Sequence, residues 1–245
     1  MRIDKFLSNS GCGSRKDVKA FIKKRLVTCD GETVSRPEFK IDPDKNEICL
    51  NGEVIQYVKF VYLMMNKPSG VISASNDPYE NDVTVVDLAL EKFDFYGIFP
   101  VGRLDKDATG LIMLTNDGIF AHRATSPKKN LKKIYYVEVL GELTEKDAGA
   151  FKRGVKLDDG YICKEAGLEI LSSGAVSTAY VTLTEGKFHQ VKRMFESLNK
   201  KVSALKRVSF CGVELDPNLE EGDVRPLTES ELNIIAPYVS GEKDK

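Results

Sequence analysis

The chain has 245 residues, 42% of them hydrophobic and 30% charged, with 36 Lys+Arg against 37 Asp+Glu. That length suits one or two domains with a sizeable core. No apolar run approaches the roughly 18 residues of a membrane span, and Met1-Arg2-Ile3-Asp4-Lys5 lacks the apolar stretch of a signal peptide, so a cytoplasmic protein with no membrane partner is expected.

Ile3, Phe6 and Leu7 have helical spacing, and Gly11-Cys12-Gly13 closes that helix. Ser14-Arg15-Lys16-Asp17 then reads as a helix N-cap with an acid three residues on. Val18, Phe21 and Ile22 form the apolar stripe of this second helix, and Arg15, Lys16, Lys19 and Lys23 fall on its other sides. Although the whole chain carries a net charge of −1, residues 2–25 hold eight cations against Asp4 and Asp17. A local basic face matters more for phosphate binding than the whole-chain sum. Asp30-Gly31 and Asn51-Gly52 between β-branched or apolar residues mark two tight hairpins.

Two short helices, a basic face and small hairpins within the first 55 residues resemble the S4 RNA-binding domain. Arg2 to Leu7, Ser14-Arg15 and Val27 to Gly31 carry the resemblance. Leu26 departs from it, standing where the S4 pattern has glycine before the hairpin strand. The domain expected from this resemblance covers residues 1–57.

From Phe60 the character changes. Phe60 to Met65 is a buried-strand run, Asn66-Lys67-Pro68-Ser69-Gly70 a turn, and Val71 to Ala74 a further strand. Val83 to Phe93 alternates helically. Ile98 to Val101 and Leu111 to Thr115 are strand-like and flank Gly102-Arg103-Leu104-Asp105-Lys106-Asp107-Ala108-Thr109-Gly110. Asp105 therefore belongs on a loop between two buried strands, a common station for catalytic groups. Asn116-Asp117-Gly118 reads as a turn before a helix from about Phe120 to Ala124. The basic run from Arg123 through Lys128, Lys129, Lys132 and Lys133 contains no acid and leads into the strand Lys133 to Val139. Thr144 caps a helix to about Arg153, with Lys146 and Asp147 exposed. Ala175 to Leu183 is β-rich, Gln190 to Leu198 helical, Val202 to Val208 and Gly212 to Leu215 strands, and Thr228 caps a last helix to about Ile235. The expected architecture is α+β: the S4-like unit, then a mainly antiparallel mixed-sheet domain over residues 60–237, then a flexible tail at 238–245. Cys12, Cys29, Cys49, Cys163 and Cys211 lack Cys-x-x-Cys spacing and read as free thiols. With only His122 and His189, no histidine-rich metal site is expected.

Three islands carry the chemistry. They are Gly102-Arg103-Leu104-Asp105 with Asp107-x-x-Gly110-Leu111, then Lys133-x-Tyr135-x-Val137, then Glu185-Gly186-Lys187-Phe188-His189-Gln190-Val191-Lys192-Arg193-Met194. Taken singly, each also fits an ordinary turn, strand or basic helix start. In this order behind an S4-like unit, they resemble the pseudouridine synthases, and most closely the branch that modifies ribosomal RNA in ribosome biogenesis. Asn66-Lys67-Pro68-x-Gly70, His122-Arg123-x-x-Ser126-Pro127 and Leu205-Lys206-Arg207-Val208 with Gly212 resemble further words of that branch.

The resemblance implies a cofactor-free isomerase. The N1–C1′ bond of a uridine breaks, the uracil turns, and C5 bonds to C1′. Asp105 maps to the family's essential aspartate, and attack on C1′, addition to the base and removal of a sugar proton all remain open for it. Lys192 maps to the basic residue that holds that carboxylate, in a single-point rather than a forked pair. Tyr135 packs on the base, and Arg103 helps hold it flipped out of the RNA. Arg15, Lys16, Lys19, Lys23, Arg123, Lys128, Lys133, Arg193 and Arg207 are the remaining cations expected to meet RNA. Asp107 is expected to be a solvent-facing or turn-capping acid, and His189 and Gln190 structural supports. The expected target is small-subunit rRNA, as an assembly intermediate and met by a monomer. The alternatives are large-subunit rRNA, a non-catalytic S4-type binding protein, and a glycoside hydrolase built on Asp105 and Asp107. The intact Asp105, Tyr135 and Lys192 set argues against the second, and a chain without tryptophan argues against the third.

Overall fold

A helix pair and two hairpins come first. The computed structural model describes residues 1–13, 15–57, 59–79, 81–93 and 97–239. Helices α1 (Ile3–Asn9) and α2 (Arg15–Lys23) precede strands β1 (Val27–Cys29), β2 (Glu32–Thr33), β3 (Ile48–Leu50) and β4 (Glu53–Val54). The strands pair antiparallel in the order β2-β1-β3-β4. Asp30 and Asn51 take positive φ, 50° and 53°, as two-residue hairpin turns require. Ile3, Phe6, Leu7, Val18, Ile22, Val27 and Ile48 form a separate small core. The chain leaves α2 through Arg25, at φ 58°, and Leu26 donates its N–H to Phe21 O at 3.1 Å. The turn is thus made without glycine at Leu26. Lys16, Lys19 and Lys23 are exposed, as an RNA-facing surface needs. Ser14 and the Arg15 side chain lie outside what is described.

The larger unit begins with β5 (Tyr62–Lys67), α3 (Val85–Phe93), β6 (Phe99–Pro100), β7 (Thr109–Thr115) and α4 (Gly118–Thr125). It continues through β8 (Lys133–Leu140), α5 (Glu145–Arg153), β9 (Gly167–Ser172), β10 (Val176–Leu183), α6 (Gln190–Glu196) and β11 (Lys201–Phe210). It ends with β12 (Val213–Glu214), β13 (Val224–Pro226) and α7 (Glu229–Ile235). Nine strands form a mixed sheet of order β13-β5-β7-β11-β8-β10-β9, with β6 beside β7 and β12 beside β11. Only the β7–β11 pair among them is parallel. In β8, β10 and β11 one face is buried (Tyr135, Val137, Val139; Ala179, Val181, Leu183; Leu205, Arg207) and the alternate residues are more exposed. Strand β7 is buried on both faces, between the core of Ile112 and Leu114 and that of Leu111, Met113 and Phe120. Its unbroken apolar run follows from that double burial.

Four local expectations change. Val71 to Ala74 forms no strand; Ile72 makes one isolated bridge to Thr84. The Ser73 hydroxyl instead accepts from Leu104 N at 3.0 Å and donates to Leu104 O at 2.9 Å, so a side chain replaces a ladder. Asp117 is not merely a turn residue. It is fully buried, caps α4 by accepting from Ile119 N and Phe120 N, and accepts from the Tyr62 hydroxyl at 2.8 Å. Asp147 is drawn back to cap α5, accepting from Thr144 N at 2.8 Å, and its side chain is only 13% exposed. At the C-terminus, Tyr238 and Val239 pack on the second core, and Val239 O accepts from Arg123 Nη1 at 3.0 Å. The rest of the expected tail, 240–245, lies outside the described residues. No described helix is long and apolar enough to cross a membrane.

Candidate active site

Asp105 sits on the loop between β6 and β7, and its side chain is 25% exposed. The loop is held from three sides. Ser73 clasps both backbone groups of Leu104. Gly70 N donates to Lys106 O at 2.8 Å. Lys67, at the end of β5, is fully buried, and its Nζ donates to the carbonyls of Pro68 (3.0 Å), Lys106 (3.1 Å) and Ala108 (2.8 Å). Burial pushes this ammonium down to about 8, against the pull of Asp107 and Asp105. The sequence reading put Lys67 in a turn and in a branch-like motif without a role of its own, whereas β5 runs on through it because its ammonium finds three carbonyls.

Gly110 fixes the other end of the loop. It stands at φ 95°, and a Cβ there would lie 2.3 Å from Arg207 O. Only glycine lets β7 approach β11 this closely. The register then aligns Gly110 with Arg207, and Arg207 with Tyr135 on β8. Tyr135, 8% exposed, is thereby brought to the same cavity as Asp105. That cavity measures about 550 Å³, and its walls include Arg103, Asp105, Lys133, Tyr135, Leu205 and Arg207. Such a volume falls in the range of small-molecule sites and has room for a nucleoside.

Lys192 comes from α6 and reaches the Asp105 loop. Its Nζ lies 2.6 and 2.7 Å from the two Asp107 oxygens and 3.6 Å from Asp105 Oδ2. The expected pair with Asp105 is therefore the longer of two. Asp105 opens a tight turn closed by Ala108 N donating to its carbonyl at 3.2 Å, and Asp107 lies within that turn, so one ammonium reaches both. Its hydrogen bond holds the Asp107 carboxyl below the usual range, although that side chain is 70% exposed. His189 Nε2 is 3.6 Å from Asp105 Oδ1. Below these groups, buried Glu185 accepts from Tyr161 Oη (2.7 Å), Lys164 N (2.9 Å) and Gln190 Nε2 (2.8 Å). Burial raises its pKa, and these hydrogen bonds outweigh burial and lower it. Gln190 Oε1 also accepts from Lys187 N, so Gln190 braces the turn that starts α6.

The cations expected to meet RNA divide. Lys128 is exposed, and Arg103 is exposed at the cavity mouth, where it also borders a shallower depression with His122. Lys133 is half-buried with its Nζ 5.5 Å from the Phe210 ring centroid, and burial followed by the Arg207 charge lowers its pKa. Three others are engaged internally. Arg193 is ion-paired with Asp158 and Asp159. Arg123 is tied to Val239. Arg207 is 1% exposed, donates Nε to Leu111 O at 2.7 Å and packs over Phe210, so it is a wall of the cavity and not a surface cation. Among the described residues, no three His, Cys, Asp or Glu are grouped to hold a metal ion.

Residues 61–197 match the family model described as RNA pseudouridylate synthase, and residues 1–48 match the S4 domain. The chain is 45% identical over 236 residues to a Bacillus subtilis protein named uncharacterized RNA pseudouridine synthase YtzG, covering 96% of this chain and 98% of that one. It is 35% identical to the Escherichia coli ribosomal small subunit pseudouridine synthase A, over 95% of this chain and 98% of that one. A crystal structure of a pseudouridylate synthase superposes with a TM-score of 0.66 at 34% identity, covering 96% and 99% of the two chains. With residues of its three motifs lining one nucleoside-sized cavity, the chain belongs to the RNA pseudouridylate synthase family, an S4 domain followed by a catalytic domain that converts uridine in RNA to pseudouridine.

Proposed function

We propose that this enzyme isomerises a uridine of small-subunit (16S) rRNA during ribosome biogenesis, with Asp105, Tyr135 and Lys192 in the catalytic centre. The observation that carries the site assignment is that Asp105 and Tyr135, from a loop and a strand, line one cavity, with Lys192 of a helix 3.6 Å from Asp105 Oδ2. The near full-length likeness to small-subunit pseudouridine synthases supports the choice of RNA. Breaking N1–C1′ builds positive charge around C1′, and the Asp105 carboxylate in the cavity wall stabilises it. The Tyr135 ring covers the detached uracil while it turns. C5–C1′ then forms, a proton leaves C5, and N1 gains one, so the composition of the nucleotide is unchanged. Arg103 at the mouth holds the flipped state. Residues 1–57 supply phosphate contacts through Lys16, Lys19 and Lys23, and residues 60–237 supply the chemistry. A stacked target must be unstacked first, which favours an assembly intermediate over the finished subunit. The enzyme acts in the cytoplasm as a monomer.

Mapping pseudouridine in both rRNAs, with and without the gene, tests the target. One small-subunit site should disappear. Loss confined to the large-subunit rRNA would replace this reading with its alternative. Lys192→Met probes the charge arrangement. It removes the ammonium that lies 3.6 Å from Asp105 Oδ2 and 2.6 Å from Asp107 Oδ1, so turnover should fall while the fold and RNA affinity are kept. Parental turnover would remove Lys192 from this role.

A further inference from the structure

Phe188 is 73% exposed, yet it lines the cavity that holds Asp105. It does not sit on a loose loop. Lys187 N donates to Gln190 Oε1 at 2.8 Å, Gln190 N donates to Lys187 O at 3.2 Å, and Gln190 rests on buried Glu185. His189, at φ 49°, turns in the left-handed region and lies face to face with Phe188, centroids 3.8 Å apart and planes 17° from parallel. The same imidazole reaches to 3.6 Å from Asp105 Oδ1. A rigid, unburied aromatic face therefore stands one side chain away from the carboxylate. Cations line the same cavity: Lys187, whose Nζ lies 4.4 Å from the Tyr161 ring centroid, Arg103 and Lys133.

We propose that the Phe188–His189 stack is a base-stacking platform for the unpaired RNA nucleobase adjacent to the target uridine. Flipping the target out of the helix leaves its neighbour with one uncovered π-face just outside the cavity. An exposed ring set among cations is the surface that takes such a base, since stacking is tolerant of base identity and the cations meet the backbone. The Phe188 ring has no other described aromatic partner than His189, so its outer face is available for a base.

The proposal rests on RNA pseudouridylation and not on the choice of rRNA. The probe is a short RNA taken around the mapped target in whichever rRNA contains it, with 2-aminopurine beside the uridine. A second RNA carries the fluorophore several nucleotides away. The wild-type enzyme should quench only the adjacent fluorophore. Phe188→Ala should lose that quenching and raise KM by about ten-fold, the scale of one lost base–aromatic stack, with the effect on KM and not on kcat. Phe188→Trp should restore both, while Phe188→Leu should restore neither. Parental quenching and KM in Phe188→Ala, or full rescue by leucine, would overturn the platform. A fall in kcat alone would assign Phe188 to the chemical step and overturn it as well.

Discussion

Asp105→Asn is expected to abolish pseudouridine formation, by at least about 10⁴-fold, while RNA affinity stays close to the parent's. Asparagine keeps the shape of the side chain but removes the charge and the basic or nucleophilic oxygen. The fold has little to lose, since the carboxylate's charged neighbours, His189 and Lys192, stand 3.6 Å away. Under the proposed assignment, binding rests on the S4 lysines and the cavity mouth, which the substitution leaves in place. The paired control is Asp107→Asn. That side chain is 70% exposed, and an exposed ion pair contributes little, so activity should stay within about five-fold of the parent's. Its loss also frees Lys192 to turn fully to Asp105. The measurement is release of the C5 hydrogen isotope from labelled RNA beside a binding titration. Turnover by Asp105→Asn, or loss only in Asp107→Asn, would show that the wrong carboxylate has been named.

Lys67→Met is expected to cost about 100-fold in activity, the scale of a reacting group displaced by about 1 Å, with a small change in thermal stability. Two effects oppose each other in the fold. Methionine leaves three carbonyls without this donor, and it also removes a costly buried charge. Lys106 O keeps its bond from Gly70 N, so the loop loosens without detaching. The lysine's pKa, about 8 when folded against 10.5 for the free side chain, gives a second signature. Between those values the unfolded chain holds a proton that the folded chain has released, so this group's contribution to stability rises with pH. Activity should move the other way, because a neutral amine has two N–H groups for three carbonyls. In Lys67→Met the alkaline decline should vanish along with most of the activity. Parental turnover by this variant would mean that Lys67 does not position the loop.

Local pattern was enough for much of this protein. The stripe of Ile3, Phe6, Leu7, Val18 and Ile22, the Asp30-Gly31 and Asn51-Gly52 turns, the strand from Lys133 and the caps at Thr144 and Thr228 all lie where their spacing places them. Each depends on residues a few positions apart, which is the range over which helical period, pleat and capping act. The motifs likewise placed Asp105 on a loop between strands and Tyr135 on a strand. Only the tertiary structure decided where the long cationic side chains go. Lys192 reaches Asp107 across 85 positions of sequence, Lys67 reaches Ala108 across 41, and Arg207 reaches Leu111 across 96. Arg193 and Arg123 read as surface cations until Asp158 and the Val239 carbonyl are brought beside them. A lysine or arginine stem is flexible enough to serve any acceptor within its reach, so sequence leaves its partner undetermined. The partner is chosen by strand register and loop height, and here both follow from β7 lying against β11 at a glycine where no Cβ would fit.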